Sequence, residues 1–600
     1  MRNILNHLLD RNILCLLVAF WSAVFVNGQT AMTNIQGRDI KSLNGVWKVI
    51  VDLGGVADQA KVWQDKKPQK KGDFIEYSFD DGPVMHVPGS FNSQQCELTY
   101  FEGSVWYKKE FDYTVVPGKR AFVHFGAVNY LTDVYLNGEK LGSHEGGFTP
   151  FQFEITGKVH DGKNSLIVRA NNQKSENGIP ALGYDWFNYG GITRDVNLVG
   201  TNSTYIRDYH IQLRKHSNSE VYGWVQLDGS QLEQPVVIKI PELGINYTTA
   251  SNKDGLAEVR FSAPFELWSP ENPKLYKIIV ECRTDTVQDE IGFRNIEVLG
   301  DKVYLNGNPI FLRGVNIHEE NPCKSTRANS GEDASLLLNW AKELGCNLVR
   351  LAHYPHNEHM IKLAEEMGLM VWSEIPVYSK KFNFSGVDMP GKMALMMREM
   401  VQRDRNRCNV VVWSLSNETG SAPLRDSLLV DLTQKCRAMD STRLITHVTN
   451  NQKYRDNTFT VWDTLYNYSD IISLNEYAGW YGGWSGTPKD TKWKLEIADK
   501  PIFISEFGGG ALKNDSRPVD EHAFWSEELQ EKIYIDQIEM FGTIPGLCGV
   551  CPWILVDYRS PTRMQPVYQK GYNRKGLISE KGEKKKAWYV MKQYYENITQ

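Results

Sequence analysis

The chain lacks the marks of several protein classes. Its formal net charge is −5 over 600 residues, so it has no basic excess with which to hold nucleic acid or an anionic membrane surface. Long hydrophobic runs are missing beyond the N-terminal Ile13 to Val26, and that run is short for a bilayer span. Cysteine is sparse: nine residues, with Cys96, Cys282, Cys323, Cys346, Cys408, Cys436, Cys548 and Cys551 scattered after the N-terminal run. Such spacing is neither a disulfide framework nor a metal cage. Cys548-Gly-Val-Cys551 has no second pair to complete a zinc site, and it precedes apolar Pro552-Trp553-Ile554. These two cysteines read as small buried thiols on a strand.

What is present describes an exported globular protein. Hydrophobic residues make up 41% and charged residues 23%, an ordinary soluble balance, and the length predicts three or four domains. Arg2 and Arg11 precede the apolar run, and Val26 and Gly28 occupy the −3 and −1 positions of a cleavage site before Gln29. Residues 1–28 are therefore expected to be a signal peptide, and the mature protein periplasmic or secreted. Cys15 stands near the start of the run rather than just after it, which argues against a lipid anchor.

The pattern changes twice along the chain. Residues 29–205 alternate in strand fashion, as in Val105–Phe111, Ala121–Phe125 and Asp133–Leu136. Asn137-Gly138 supplies a two-residue hairpin whose turn positions both need positive φ. This predicts a β-sandwich. Residues 206–299 hold a second set of short strands, including Val221–Leu227, Pro235–Ile240 and Tyr276–Val280, which suits an immunoglobulin-like sandwich without the paired cysteines. The string Val-Tyr-Leu-Asn-Gly occurs at 134–138 and 303–307, one hairpin solution used twice. From residue 300 to 600, strands alternate with helices. Eight apolar strand candidates begin near Ile310, Asn347, Met370, Val410, Leu444, Ile471, Ile502 and Gly549, with amphipathic helices such as Asp333–Leu344 and Lys392–Arg403 between them. Eight such units predict a (β/α)₈ TIM barrel.

Two barrel strands end on a carboxylate. Asn409-Val-Val-Val-Trp-Ser-Leu-Ser-Asn-Glu418 is a continuous apolar run that stops on polar groups, and Pro501-Ile-Phe-Ile-Ser-Glu506 repeats the pattern. Runs of this kind are strands covered on both faces, and barrel enzymes place catalytic groups at such C-terminal ends. Two strand-end glutamates on opposite sides of a barrel mouth are the minimum for hydrolysing a glycosidic bond, although either one alone could be a hydrogen-bonding cap. Glu374 and Glu476 also end strands and read as hydrogen-bonding partners. His318, His353, His356 and His359 resemble a metal cluster only at first sight. Pro355 interrupts any common helical face, so no metal is expected, and His356 and His359 read as surface residues.

Over its whole mature length the chain resembles glycoside hydrolase family 2. The strings that match are Leu43-Asn-Gly-Val-Trp47, Val87-Pro-Gly-Ser-Phe91, Gly103-Ser-Val-Trp-Tyr107, Trp268-Ser-Pro-Glu-Asn-Pro273, Gly292-Phe-Arg294, Leu312–His318, Arg350–Pro355, Trp413–Glu418 and Ser505–Gly508. The resemblance implies that Glu418 is the acid/base and Glu506 the nucleophile of a retaining, cofactor-free mechanism. It assigns Asn417 to the sugar 2-hydroxyl, Tyr477 to the nucleophile, and His318 and His353 to the barrel mouth. Tyr481 and Trp553 are candidate sugar contacts, and Asp185 matches a segment of the first sandwich that reaches the site. Trp553 could equally be barrel packing and Asp185 a turn residue.

Asn573-Arg-Lys575-Gly resembles the Asn-x-Lys motif of the family's β-glucuronidases, which implies that Asn573 and Lys575 bind a C6 carboxylate. The Arg that some of them carry four residues earlier is Gln569 here. Lys581–Lys586 reads as solvated surface. The implied substrate is a saccharide or glycoconjugate with a terminal β-linked uronic acid. The alternatives are a β-galactosidase using the same carboxylates and a sugar-binding protein without catalysis. Only 29 residues separate Glu374 from Asp404 before strand four, which predicts an open mouth suited to oligosaccharide ends. The sequence leaves a homo-oligomer open.

Overall fold

Apolar alternation closes the N-terminal part of the chain into two antiparallel sheets. A computed structural model describes residues 29–67, 77–80, 82–497, 499–520 and 523–598. The signal peptide expected at 1–28 lies outside the described residues. The first sandwich pairs a five-stranded sheet with a six-stranded one, around a core that includes Trp47, Tyr107, Phe125 and Phe151. The Asn137-Gly138 turn joins strands Leu131–Leu136 and Glu139–Glu145 with both residues at positive φ, 51° and 84°. Asn306 and Gly307 do the same at 54° and 83° between Lys302–Leu305 and Asn308–Pro309. The second sandwich has sheets of three and four antiparallel strands over Thr204–Ile291. This is the seven-strand count of an immunoglobulin-like domain, and it forms with its single cysteine, Cys282, unpaired.

The last part is a closed barrel of eight parallel strands. In order they are Leu312–Ile317, Leu348–Leu351, Met370–Glu374, Val410–Asn417, Leu444–Thr449, Ile472–Asn475, Ile502–Glu506 and Leu547–Val550. Their residues are almost all buried, as expected for barrel strands enclosed on both faces. Cys548 and Cys551 are buried at strand eight. Helices Gly331–Leu344 and Met389–Asp404 occupy the segments where amphipathic helices are expected.

One feature of the repeat differs. Among the described residues no α-helix follows strand five or strand six. The chain instead builds a three-stranded sheet from Lys453–Arg455, Thr458–Val461 and Lys492–Leu495. The local sequence explains the exchange. Phe459 and Val461 alternate with a strand's period, Tyr454 pairs with Phe459 across the hairpin, and Asp456-Asn457 forms the turn with φ of 50° and 51°. Two consecutive positive-φ residues close a hairpin and end a helix.

Two surface assignments are corrected. His356 is fully buried: the turn at Pro355 folds its ring back so that Nε2 donates to the Ala352 carbonyl at 3.0 Å. His359 is half-exposed and pairs with Asp195. Lys585 is also fully buried, donating to Asp557 at 2.7 Å and to the carbonyls of Ala511 and Arg574. Such partners offset the cost of burying an ammonium, and here they tie Lys585 to Arg574 of the Asn573–Gly576 segment.

Candidate active site

The C-terminal ends of the barrel strands open into a cleft of about 490 Å³. Glu418 and Glu506 both line it, together with Asp185, His353, Tyr477, Tyr481, Trp553, Asn573 and Lys575. Asn417 and His318 lie behind this lining, both buried.

Arg350, at the centre of strand two's end, organises the floor. Its side chain is fully buried. Nε and Nη2 donate to the two Glu374 oxygens at 3.1 Å each, while Nη1 donates to Glu506 Oε1 at 2.9 Å and Asn316 Oδ1 at 3.0 Å. Burial opposes the Arg350 charge, but the two carboxylates hold the guanidinium firmly protonated. In return Arg350 and His353 overcome the burial of Glu374 and lower its carboxyl to about 2. His353 Nδ1 donates to Glu374 at 2.6 Å, and its ring stacks on Trp553 at 4.8 Å. Glu506 receives its other hydrogen bond from the Tyr477 hydroxyl, 2.8 Å from Oε2. One carboxylate is thus held by a guanidinium on one oxygen and a phenol on the other.

Glu418 sits in a different environment. It follows strand four at positive φ (54°), so the chain turns sharply and presents the carboxyl to the cleft. Its side-chain hydrogen bond is from Asn475 Nδ2 at 2.9 Å. The Asn475 amide is oriented by Asn417 Oδ1, which accepts from Arg350 at 2.8 Å and lies 3.3 Å from Asn475 Nδ2, while the Asn475 oxygen accepts from Ser505 Oγ at 2.8 Å. Burial first, and the Glu506 charge second, raise the Glu418 pKa. The pair therefore combines a carboxyl inclined to keep its proton with a carboxylate held in an ion pair, the division of labour that glycoside hydrolysis needs. Asn417 Oδ1 accepts from Arg350 at 2.8 Å, which leaves Asn417 Nδ2 as a buried donor without a partner.

Two cations, Lys575 and Arg563, also line the cleft. Lys575 is buried, with Nζ 2.7 Å from the Tyr481 hydroxyl and 4.7–5.8 Å from the ring centroids of Tyr481, Tyr477 and Trp480. Among the described residues no carboxylate is in ion-pair contact with it, although its charge helps to lower the Asp185 pKa. Gly576 lets this segment pass, since a Cβ there would meet the Asp557 nitrogen at 2.2 Å. Asn573 lines the cleft beside Lys575, with its Nδ2 donating to Asp185 Oδ2 and the Tyr558 hydroxyl at 3.0 Å each. Asp185, carried in from the first sandwich, also accepts from Ser560 at 2.6 Å and from Arg563 through Nε and Nη2. Burial opposes its charge, but Arg563 keeps it ionised with a lowered pKa.

Arg563 lines the cleft and was not singled out in the sequence. It comes from the loop after strand eight, six residues before Gln569, where no motif marks it. Trp186, Tyr378, Asn475 and Tyr558 were likewise missed. For Asn475 a signal existed, as it ends strand six just as Asn417 ends strand four. His318 packs at 4.2 Å from the Tyr558 ring, and burial drives its pKa well below the usual imidazole range.

A barrel whose strand ends bring a proton-holding carboxyl and an ion-paired carboxylate to one cleft is a two-carboxylate glycosidase. Comparison with known proteins gives the family. Residues 40–202 match the sugar binding domain of glycosyl hydrolases family 2, residues 204–294 its middle domain, and residues 296–600 its TIM barrel domain. The chain belongs to that family. It is 26% identical over 629 residues to a β-glucuronidase of Paenibacillus borealis, covering 94% of this chain and 98% of that one. A solved β-glucuronidase structure from an uncultured Clostridium species superimposes with a TM-score of 0.80 at 25% identity, over 95% of this chain and all of the other. A β-galacturonidase of Eisenbergiella tayi bound to galacturonate has the same fold, with a TM-score of 0.78 at 23% identity, over 96% of this chain and all of the other.

Proposed function

We propose that this chain is a retaining exo-β-glucuronidase that removes a terminal uronic acid from a saccharide or glycoconjugate. The observation that carries the reading is Lys575: a buried ammonium at the cleft wall with aromatic faces and a phenol around it and, among the described residues, no carboxylate in ion-pair contact, Asp185 being reached only by its longer-range charge. Burying an unpaired charge is unfavourable, and a substrate carboxylate at C6 would supply the missing counter-charge. Arg563, already engaged by Asp185, adds positive potential on the same side.

The chemistry follows from the two carboxyl environments. Glu506 attacks the anomeric carbon while Glu418 gives its proton to the departing oxygen. Arg350 and Tyr477 fix the nucleophile's direction of approach. Once the ester to Glu506 forms, the negative charge that helped hold Glu418's proton is gone. Glu418 then becomes the base that activates water. Asn417 Nδ2 is a free donor for the 2-hydroxyl, a contact that strengthens as the oxocarbenium character develops.

We place the protein outside the cytoplasm, on its N-terminal signal, and leave homo-oligomer formation as a further proposal. A single panel tests the activity: β-glucuronide, β-galacturonide and β-galactoside of one aglycone. Turnover of the glucuronide well above both others is expected. Preference for the galactoside would return the site to the neutral-sugar alternative, and no turnover of any would support the non-catalytic one.

A further inference from the structure

The end of strand six and the turn after it carry three of the side chains that set up the cleft. Asn475 donates to Glu418, Tyr477 donates to Glu506, and Tyr481 meets Lys575. Between them stands Glu476, a buried carboxyl at the cleft wall. Its backbone N–H donates to the Glu506 carbonyl at 2.9 Å, so the turn starts tied to the nucleophile's strand.

Two side chains clasp the backbone of residue 478. Glu476 Oε2 accepts from the Ala478 N–H at 3.0 Å, and Gln537 Nε2, on helix Glu527–Phe541, donates to the Ala478 carbonyl at 2.6 Å. A carbonyl only accepts, so the orientation of the Gln537 amide is set. The Gln537 side chain also stands within hydrogen-bonding reach of the Glu476 carboxyl. Among the described residues neither Glu476 Oε1 nor Gln537 Oε1 has a partner, and both atoms are buried. A carboxylate against an amide oxygen is two acceptors without a donor, which is unfavourable away from water. One proton on Glu476 Oε1 supplies that donor and satisfies both atoms.

We propose that Glu476 is a positioning residue that works as a neutral acid: its Oε1–H donates to Gln537 Oε1, and the closed clasp fixes the turn that aims Tyr477 at Glu506 and Tyr481 at Lys575. The surroundings favour the neutral form. The ionisable groups around the turn are Tyr454 of the hairpin, Glu418 and Glu506 of strands four and seven, Lys575, Tyr477 and Tyr481, with Tyr534 on the helix face that carries Gln537. None of them offsets a charge on Glu476. Burial pushes its carboxyl up to about 7, opposed only by the Ala478 N–H and the Gln537 amide. The inference rests on the two-carboxylate reading of the cleft and on no particular sugar.

The test compares wild type with Glu476→Gln and Glu476→Ala on a nitrophenyl β-glucuronide. Gln keeps an N–H for Gln537 and an oxygen for the Ala478 N–H at every pH, whereas Ala keeps neither. At about pH 6 the Gln variant should match wild type, while Ala lowers kcat/KM by about fivefold, the worth of one hydrogen bond. By about pH 8 wild type has lost the proton, and the ratio of kcat/KM in Glu476→Gln to that in wild type should rise to about fivefold. The decline set by Glu418 is common to both enzymes and cancels in this ratio. In the infrared, a carboxylic-acid carbonyl band present in wild type and absent from Glu476→Gln should fade over the same interval. A ratio constant with pH, a Gln variant as impaired as the Ala variant, or no such band overturns the proposal. An enzyme inert toward glucuronide, galacturonide and galactoside alike fails the activity reading and the positioning role with it, while the band, which needs no substrate, still decides whether Glu476 holds its proton.

Discussion

Replacing Lys575 by Met separates recognition of charge from every other contribution to catalysis. The side chain is buried, and its stem packs among Tyr477, Trp480 and Tyr481. Met preserves most of that apolar volume while removing the ammonium. In the free enzyme the charge is compensated by the Tyr481 hydroxyl at 2.7 Å and by ring faces. A uronate carboxylate would be its first full counter-charge. Truncating one partner of a buried, hydrogen-bonded charge pair costs about 2–5 kcal/mol, so kcat/KM for a glucuronide should fall by roughly one and a half to three and a half decades. A galactoside or glucoside of the same aglycone has no charge at C6 and should not lose activity. Its turnover should hold or rise, because no unpaired ammonium then has to be desolvated beside it. The assay is kcat/KM for both substrates in wild type and K575M, with melting temperature as a check on the fold. Equal losses on charged and neutral sugars would mean that Lys575 supports architecture. No loss on either would mean that the carboxylate binds elsewhere, and in both cases the preference for a glucuronidase loses its ground.

Four further outcomes follow from the carboxylates. Glu506→Gln should abolish the covalent intermediate, whereas Glu418→Gln should spare its formation from substrates with good leaving groups, which need little protonation. Because burial and Glu506 raise the Glu418 pKa, wild-type activity should persist above the usual carboxylate range and decline as pH passes that raised value. That basic limb should vanish in E418Q with an activated aryl glucuronide, and its survival there would assign the acid elsewhere. The first product seen by NMR should be the β-anomer, and an initial α-anomer would contradict retention. Glu374 is shifted the other way, from 4.5 to about 2. Its contribution to stability is therefore complete above pH 4.5 and lost as pH falls toward 2. The melting-temperature gap between wild type and Glu374→Gln should narrow over that interval, and a gap constant with pH would refute the assignment.

The legible parts of this protein are those in which one residue type is dictated by its own neighbours in the chain. Barrel strands four and seven could be read because burial on both faces demands an unbroken apolar run, and a carboxylate ending such a run is conspicuous. The Asn137-Gly138 and Asn306-Gly307 turns were legible for the same reason, each being set by two adjacent φ angles. Helix Met389–Asp404 starts three residues before the expected Lys392. Its N-terminus has Asp388 at positive φ without a side-chain cap, so the usual local signal was missing.

What stayed hidden is relational. Arg563 is held at the cleft by Asp185, 378 positions earlier in the chain, which accepts from its Nε and Nη2, and nothing local to residue 563 announces that partner. Asn573 and Lys575 both line the cleft, and what the motif did not announce is that the Asn573 donors meet Asp185 and Tyr558. His356 and Lys585 were assigned to the surface on polarity alone. Each is buried against backbone carbonyls supplied by a fold in the chain, and polarity predicts exposure only when no such acceptor is near. The hairpin that replaces the helix after strand five was present in the sequence as a strand-period run around Asp456-Asn457, but the barrel's repeat argued for a helix there. Where the local period and the repeat disagreed, the local period prevailed, and the exception forms a wall of the cleft. That is the expected place for a departure from the repeat, because a barrel changes its substrate by altering the loops at its C-terminal face while the strands beneath keep the same packing.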